Sequence, residues 1–130
     1  MNRPASRSLE HGPVFSWHRV HDGLIFTSGH AAVDIDDYKR VRAGFEDEVR
    51  LTLENLQRTL ERAGSGMDKV LKVTAYLTDM SQYPAFNRIY AGFFPSSDPP
   101  ARTCVEVRRL PYDFQVEIEA VACLGLSDPP

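Results

Sequence analysis

The chain has 130 residues and a formal net charge of −3, because 15 lysines and arginines stand against 18 aspartates and glutamates. Its apolar share of 42% with 25% charged residues excludes a disordered chain, and its apolar stretches are too short to span a membrane. The length supports one domain over residues 1–130, and the scattered basic residues argue against a nucleic-acid partner.

The two ends of the chain, residues 1–13 and 125–130, are rich in serine, proline, arginine and aspartate, which predicts loose termini. No export signal is visible in the first of them, so we expect a cytoplasmic protein.

Two β-prone runs, residues 15–20 and 24–28, follow the first terminus and flank Asp22 and Gly23. An Asp-Gly step between such runs predicts a β-hairpin.

A long helix is predicted after a polar loop, because apolar side chains then recur every three or four residues. They are Phe45, Val49, Leu53, Leu56, Leu60 and Ala63. Gly64 and Gly66 are expected to end this helix. Beyond them, Leu71, Val73 and Ala75 alternate with polar side chains, which predicts a strand with one face in the core.

A second helix is predicted around Phe86 and Tyr90 and must stop before Pro99 and Pro100, which cannot continue it. Two strands follow at about residues 103–109 and 115–123. If both strand–helix–strand crossovers move the same way along one sheet, both helices lie on one face.

The other face of this sheet is then left without helices. It carries either Cys104, Glu106 and Arg108 or Glu117, Glu119 and Val121, depending on which side each of the last strands presents. Either set is too apolar for open water and too polar for a core, which favours a closed oligomer whose subunits cover this face.

The histidines and cysteines give weak signals. His18 and His21 lie near the hairpin turn without a carboxylate or thiol at ligand spacing, so no metal site is predicted. His30 follows Ser28 and Gly29 at a strand end, where ligands often bind, and is either a site residue or a surface histidine. Cys104 and Cys123 are predicted to be reduced thiols.

The most informative segment is residues 99–119. Arg102 stands between a double proline and an apolar strand, where its guanidinium can grip a carboxylate through two hydrogen bonds. Glu117 lies between Val116 and Ile118 and is able to hold or polarise a water molecule. The two residues form either a functional site or a structural ion pair between strands.

At these positions the sequence resembles the RidA family, also called YjgF/YER057c/UK114, over about residues 12–123. The matching residues are Thr27, Ser28 and Gly29; Asn55 and Leu56; Asn87, Tyr90, Phe93 and Phe94; Pro100, Ala101, Arg102, Cys104, Val105, Glu106 and Val107; and Leu110, Pro111, Val116, Glu117, Ile118, Glu119 and Ala120.

The resemblance implies an α+β fold of the chorismate-mutase-like type, with a mixed sheet and two helices on one face. It also implies a homotrimer with a central β-barrel and active sites in the clefts between subunits. Members with the arginine hydrolyse reactive 2-imino or enamine acids to 2-oxo acids and ammonia without a cofactor, as 2-iminobutanoate/2-iminopropanoate deaminases do.

Carried over by position, the resemblance assigns the substrate carboxylate to Arg102 and the attacking water to Glu117. Cys104 and Gly29 would contribute backbone groups near the imine nitrogen and the water. The remaining positions implied to line or shape the cleft are Ser28 and Asn87.

Two positions depart from the family pattern. Phe15 stands where a tyrosine is frequent, and His30 stands where a glutamine is common. Together with Trp17 and His18, they are expected to reshape the cleft for a larger or differently charged imine.

Three other functions remain open at this point. One is a deaminase specific to one pathway intermediate, such as an aminoacrylate or an aminomuconate-like compound. Another is a non-catalytic module that binds a small carboxylate metabolite. The ribonuclease or translation-inhibitor activity attached to the family's name is disfavoured by the acidic charge balance.

Overall fold

The computed structural model describes residues 14–41 and 44–125, so the loose ends predicted at 1–13 and 125–130 lie outside it except for Gly125. Within this part of the chain the elements follow the predicted order. They are β1 (His18–His21), β2 (Leu24–Thr27), α1 (Phe45–Arg62), β3 (Val70–Leu77), α2 (Tyr83–Tyr90), β4 (Ala101–Glu106) and β5 (Val116–Cys123). The first strand begins at His18, later than predicted.

The hairpin between β1 and β2 has the predicted turn. Asp22 and Gly23 both have positive φ, 50° and 79°, which is the conformation of a type I′ turn and favours an Asp-Gly pair. The strands pair antiparallel, with His21 opposite Leu24.

The sheet has the strand order β1-β2-β5-β3-β4, with β3 and β4 parallel and the other neighbours antiparallel. Since β2 and β3 both run antiparallel to β5, both crossovers join parallel strands and move in the same direction. The mixed sheet and α+β class are therefore confirmed.

Both helices lie on one face of the sheet and share its core. The fully buried members of that core include Val49, Leu53, Leu56 and Leu60 of α1, Phe86 of α2, and Val73, Ala75, Val116 and Ile118 of the sheet. Gly64, with a φ of +88°, follows α1 as predicted. No helix in the described residues is long and apolar enough to cross a membrane.

The predicted burial of Leu71 is wrong. A register irregularity between Val70 and Lys72 puts Val70 in the core, while Leu71 is 49% exposed. Alternation resumes at Val73, as the sequence pattern predicts.

The face without helices carries Glu117, Glu119 and Val121, the second of the two predicted sets. Cys104 lies on the other face and packs partly against the core. Two apolar side chains on strands of this sheet, Phe26 and Val105, are 44% and 38% exposed.

Candidate active site

An irregularity between β2 and β5 shapes the first part of the site. Phe26 pairs with Val121, whereas His30 pairs with Ile118. Three residues therefore separate the paired positions on the β2 side, against two on β5. Such a bulge redirects the side chains beyond it, and bulges are frequent next to active sites. Here it lies at residues 27–29 and exposes the backbone of Gly29 to β5.

Glu117 of β5 occupies the space that this bulge opens. A Cβ built on Gly29 would lie 2.6 Å from the Glu117 Cδ, so the carboxyl group sits directly over the glycine. Burial, with a smaller effect from the charge of Glu119, raises the pKa of Glu117. The site therefore holds a carboxyl group that takes up a proton more readily than an exposed glutamate.

A cavity of about 350 Å³ opens beside Glu117. Its lining includes Phe15, Ser28, Gly29 and Glu117, four of the residues predicted for the site. It also includes residues outside that set, namely Trp17, Ala31, Val33, Pro111, Tyr112 and Phe114.

Ser28 holds one wall of the cavity in place. Its hydroxyl donates to the Ser16 carbonyl at 2.6 Å, and its backbone N–H donates to the Trp17 carbonyl at 2.9 Å. These two bonds tie the segment before β1, with Phe15 and Trp17, to the end of β2. Ser28 therefore shapes the cavity through the chain that it anchors.

The turn before β5 forms the opposite wall. Residues Pro111–Asp113 make a single 3₁₀ turn in which Tyr112 and Asp113 have φ near +60°, a conformation that side-chain-bearing residues rarely adopt. Arg40 donates to the Tyr112 carbonyl at 2.7 Å, and Arg109 donates to Asp113 at 2.8 Å. These contacts hold the turn against the cavity.

His30 does not line the cavity, contrary to the expected substrate contact. The bulge places it on the helix side of the sheet, where it has no exposed surface. Its Nδ1 lies 2.8 Å from the Ser28 carbonyl and its Nε2 lies 2.7 Å from the Thr59 hydroxyl. Because a carbonyl only accepts, Nδ1 carries the proton and Nε2 accepts from Thr59. Burial lowers the pKa of His30 to about 4, so the ring is neutral and supports Trp17, 4.8 Å away between ring centroids.

Arg102 lies apart from this cavity, on the helix face at the edge strand β4. Its guanidinium carbon is 4.7 Å from the centroid of the Tyr90 ring, 5.5 Å from Tyr83 and 5.7 Å from Phe86. It donates to the Tyr83 hydroxyl at 2.8 Å. Among the described residues, no carboxylate pairs with Arg102. The predicted alternative, a structural ion pair between Arg102 and Glu117, is therefore wrong.

Two other predicted residues accompany Arg102. Cys104 follows on the same strand and face, its thiol is free, and burial raises its pKa. Asn87 lies on α2, the helix whose aromatic rings surround Arg102, and its buried Oδ1 has no hydrogen-bond partner among the described residues. Cys123 is also a free thiol.

The predicted site is thus split into two parts on opposite faces of the sheet. Arg102 pairs in register with the core residue Val73, whereas Glu117 alternates with the core residues Val116 and Ile118. We call the cavity beside Glu117 the carboxylate half and the surroundings of Arg102 the arginine half. Among the described residues, no group of three histidine, cysteine, aspartate or glutamate side chains is arranged to hold a metal ion.

The sequence interpretation missed Pro111, Tyr112 and Phe114 as cavity walls. The Leu-Pro step before β5 was the available signal, since it marks a fixed turn beside Glu117. Which side chains of the turn face the cavity depends on the positive φ of Tyr112 and Asp113. Neither residue is a glycine, so the sequence does not reveal that conformation.

Comparisons with known proteins identify relatives over most of the chain. A family model described as Endoribonuclease L-PSP matches residues 12–124. The RutC family protein UK114 of Drosophila melanogaster is 41% identical over 106 residues, which make up 82% of this chain and 76% of that protein. TdcF of Escherichia coli (strain K12), which carries the name of a reactive intermediate deaminase, is 36% identical over 101 residues, covering 76% of this chain and 78% of that protein.

A solved structure agrees with the sequence comparisons. The crystal structure of E. coli TdcF with bound serine matches this fold with a TM-score of 0.76 at 32% identity, over 86% of this chain and 88% of the other.

Proposed function

The chain belongs to the Endoribonuclease L-PSP family, which is the RidA or YjgF/YER057c/UK114 family, and on that premise we propose that it hydrolyses reactive 2-imino or enamine acids to 2-oxo acids and ammonia. The proposed reaction adds water across the carbon–nitrogen double bond and then releases the nitrogen. The name of the relative TdcF supports deamination at this general level.

The observation that carries the proposal is that Arg102 is fixed in place without a carboxylate partner among the described residues. Its guanidinium is held by three aromatic rings and one hydroxyl, and no described carboxylate neutralises it. A cation so positioned is suited to bind an anion by two parallel hydrogen bonds. We assign the substrate carboxylate to it.

We propose that Glu117 positions the attacking water molecule and transfers its proton. Its ionised form orients a water molecule toward the imine carbon and accepts a proton as the carbon–oxygen bond forms. The protonated form then returns the proton to the nitrogen of the adduct. The carbon–nitrogen bond breaks, ammonia leaves, and the carboxylate takes up the hydroxyl proton as the carbonyl group of the 2-oxo acid forms. The raised pKa of Glu117 suits both steps, because it brings the two protonation states closer in free energy at neutral pH.

Cys104 is not proposed as a nucleophile. A nucleophilic cysteine needs a lowered pKa, whereas burial raises that of Cys104. Its backbone and that of Gly29 are proposed to contact the imine nitrogen and the water. Because a protonated imine is already electrophilic, orientation and a bound water suffice for the reaction, and no cofactor is proposed.

The two halves are proposed to meet between neighbouring subunits. They lie on opposite faces of one sheet, so a single subunit does not bring Arg102 and Glu117 to one substrate. A homotrimer whose sheets pack into a central barrel would cover the exposed Phe26 and Val105 and would close each site from two chains.

The test is hydrolysis of imines made in place by an amino-acid oxidase. Wild-type protein is expected to accelerate loss of the imine, and Arg102→Ala to lower kcat/KM at least about a hundredfold. The matched control is Arg88→Ala on the neighbouring helix α2; Arg88 is an exposed partner of Glu46 at 3.2 Å, and its removal is expected to leave the rate unchanged. Binding of a 2-oxo acid without any acceleration would indicate a non-catalytic module instead.

A further inference from the structure

The cavity of the carboxylate half has one polar end and an apolar body. Its polar lining consists of Ser28, Gly29 and Glu117, and the remaining lining side chains are aromatic, aliphatic or proline. We propose that this cavity selects 2-imino acids with a large apolar side chain, branched aliphatic or aromatic, over those with a small one. This inference rests on the proposed deaminase function and specifies its substrate class.

The size of the cavity exceeds what a small imine needs. Its volume of about 350 Å³ lies in the range of about 300–1,000 Å³ that accommodates drug-sized ligands. The methyl side chain of the imine derived from alanine is far smaller than such ligands and would leave the apolar part filled with water. A larger side chain displaces that water and buries apolar surface on both sides.

The cavity wall formed by the segment before β1 is aromatic. Phe15 meets Trp17 edge to face, with ring centroids 5.4 Å apart, and Tyr38 stacks on Trp17 at 5.9 Å. Phe15 is 49% exposed although it has no polar group that needs water. An apolar ligand side chain placed against these rings would cover part of that surface.

The opposite wall is also apolar and is backed by a second small core. Phe114 is 7% exposed and packs in one cluster with Ala31, whose carbonyl accepts a hydrogen bond from the buried side chain of Asn55 at 2.8 Å. Together with the two arginine contacts to the Tyr112 turn, these interactions form the cavity before any ligand arrives. A preformed cavity avoids the entropy loss of ordering it on binding.

The charge of the cavity lining also favours apolar over acidic side chains of the substrate. Among the residues that the structure describes, Glu117 is the one charged residue in its lining. With Arg102 of the neighbouring subunit assigned to the substrate carboxylate, this lining offers the imine side chain no second cation to receive an anion, so an apolar side chain is favoured over an acidic one.

The experiment compares imines made by an amino-acid oxidase from alanine and from leucine, with the remaining imine trapped by semicarbazide. We expect kcat/KM to be at least about tenfold higher for the leucine-derived imine. Trp17→Ala is expected to lower kcat/KM for the leucine-derived imine at least about tenfold. It should thereby reduce the ratio of kcat/KM between the leucine-derived and the alanine-derived imine. Val20→Ala, an exposed position that is not among the cavity residues, serves as the control and should keep the wild-type ratio.

The outcomes separate this inference from the proposed function. Equal rates for the two imines, or a faster alanine-derived one, would overturn the substrate preference and leave the deaminase function standing. Acceleration of neither imine would overturn both.

A binding measurement tests the preference without turnover. Trp17 is the single tryptophan of the chain and lines the cavity, so its fluorescence reports occupancy directly. Titration with 4-methyl-2-oxopentanoate is expected to give a Kd at least about tenfold lower than titration with 2-oxopropanoate, and Phe15→Ala to reduce this difference. Equal Kd values would contradict the inference.

Discussion

At the scale of single residues, the close contact between Gly29 and Glu117 leaves no space for a side chain at position 29. An added Cβ at Gly29 would lie 2.6 Å from the carboxyl carbon of Glu117, the group to which we assign the attacking water. The φ of Gly29 is not in the left-handed region, so alanine is excluded there by space and not by backbone conformation.

Gly29→Ala is therefore expected to displace the carboxylate while leaving the backbone as it is. We expect kcat/KM to fall at least about a hundredfold with a shift in Tm of a few degrees at most. Gly92→Ala is the matched control, because a Cβ there meets open space. Steady-state kinetics and thermal unfolding of both variants check this. Full activity in Gly29→Ala would mean that Glu117 acts from another position.

His30 predicts a pH dependence of stability. Its pKa is about 4 in the folded state, mainly because of burial, and about 6.5 in the unfolded chain. Between these values the unfolded state binds the extra proton, so stability is full above about pH 6.5 and falls as the pH falls toward about 4. The loss from this residue amounts to about 3 kcal/mol at most.

The comparison with His30→Gln isolates this effect. Glutamine has one donor and one acceptor for the Ser28 carbonyl and the Thr59 hydroxyl, but it does not titrate. Urea unfolding at pH 7.5 and pH 4.5 should show a smaller loss of free energy in His30→Gln than in the wild type. The same loss in both proteins would be inconsistent with a neutral His30.

At the scale of elements, the regular patterns could be predicted and the irregular pairings could not. The spacing of Val49, Leu53 and Leu56 determines a helix, since those residues share a face at 3.6 residues per turn. The inserted residue at 27–29 is different, because it depends on how β5 pairs across the sheet. That one residue moves His30 from the expected cleft into the core and brings Gly29 to Glu117.

The same limit applies to the candidate site. Arg102 and Glu117 could be singled out from the sequence, because Arg102 stands at the entrance of an apolar strand and Glu117 lies between apolar residues. Their chemistry alone left a functional site and an ion pair open, and the family resemblance supplied their roles. The sequence left open which faces of the sheet they occupy, since alternation tells which residues share a face but not which face is covered. The pairing of Arg102 with Val73 settles this for β4.

A buried carboxylate joins two elements on the helix side. Glu48 of α1 is 5% exposed, and it accepts hydrogen bonds from the Gln115 backbone N–H at 2.6 Å, the Gln115 side chain at 3.0 Å and the Val116 N–H at 3.3 Å. It thereby fixes the start of β5, one residue before Glu117.

Glu48→Ala should lower the free energy of unfolding by about 2–4 kcal/mol, because two backbone N–H groups lose their buried acceptor. Glu48→Gln, which keeps one acceptor oxygen, should lose less. The control is Glu46→Ala in the same helical turn, an exposed residue whose removal should change stability by about 1 kcal/mol or less. Chemical denaturation measures all three. An equal loss at the exposed and buried positions would refute the assigned role of Glu48.

At the scale of the whole molecule, the uncovered sheet face and the divided site both favour the proposed assembly of neighbouring subunits. Arg102 lies under α2 at the sheet edge, and Glu117 lies on the face that has no helix. If each functional site takes its arginine half from one subunit and its carboxylate half from the next, the contact is head to tail, and the proposed trimer closes it into a ring.

Such a ring predicts complementation between two inactive variants. Arg102→Ala subunits keep an intact carboxylate half, and Glu117→Ala subunits keep an intact arginine half. In a cyclic trimer that contains both kinds, one neighbouring pair always joins the two intact halves. Refolding an equal mixture should therefore restore about a quarter of the wild-type sites, although each variant alone is inactive.

The measurement is the rate of imine loss in the refolded mixture, with mixed trimers counted by native mass spectrometry. Two separately refolded variants, combined only in the assay, provide the control and should stay inactive. Recovered activity in proportion to the mixed trimers would require a site made from two chains, since no subunit in the mixture carries both residues. Mixed trimers without activity would mean that Arg102 and Glu117 must act from the same chain, and the proposed site between subunits would have to be abandoned.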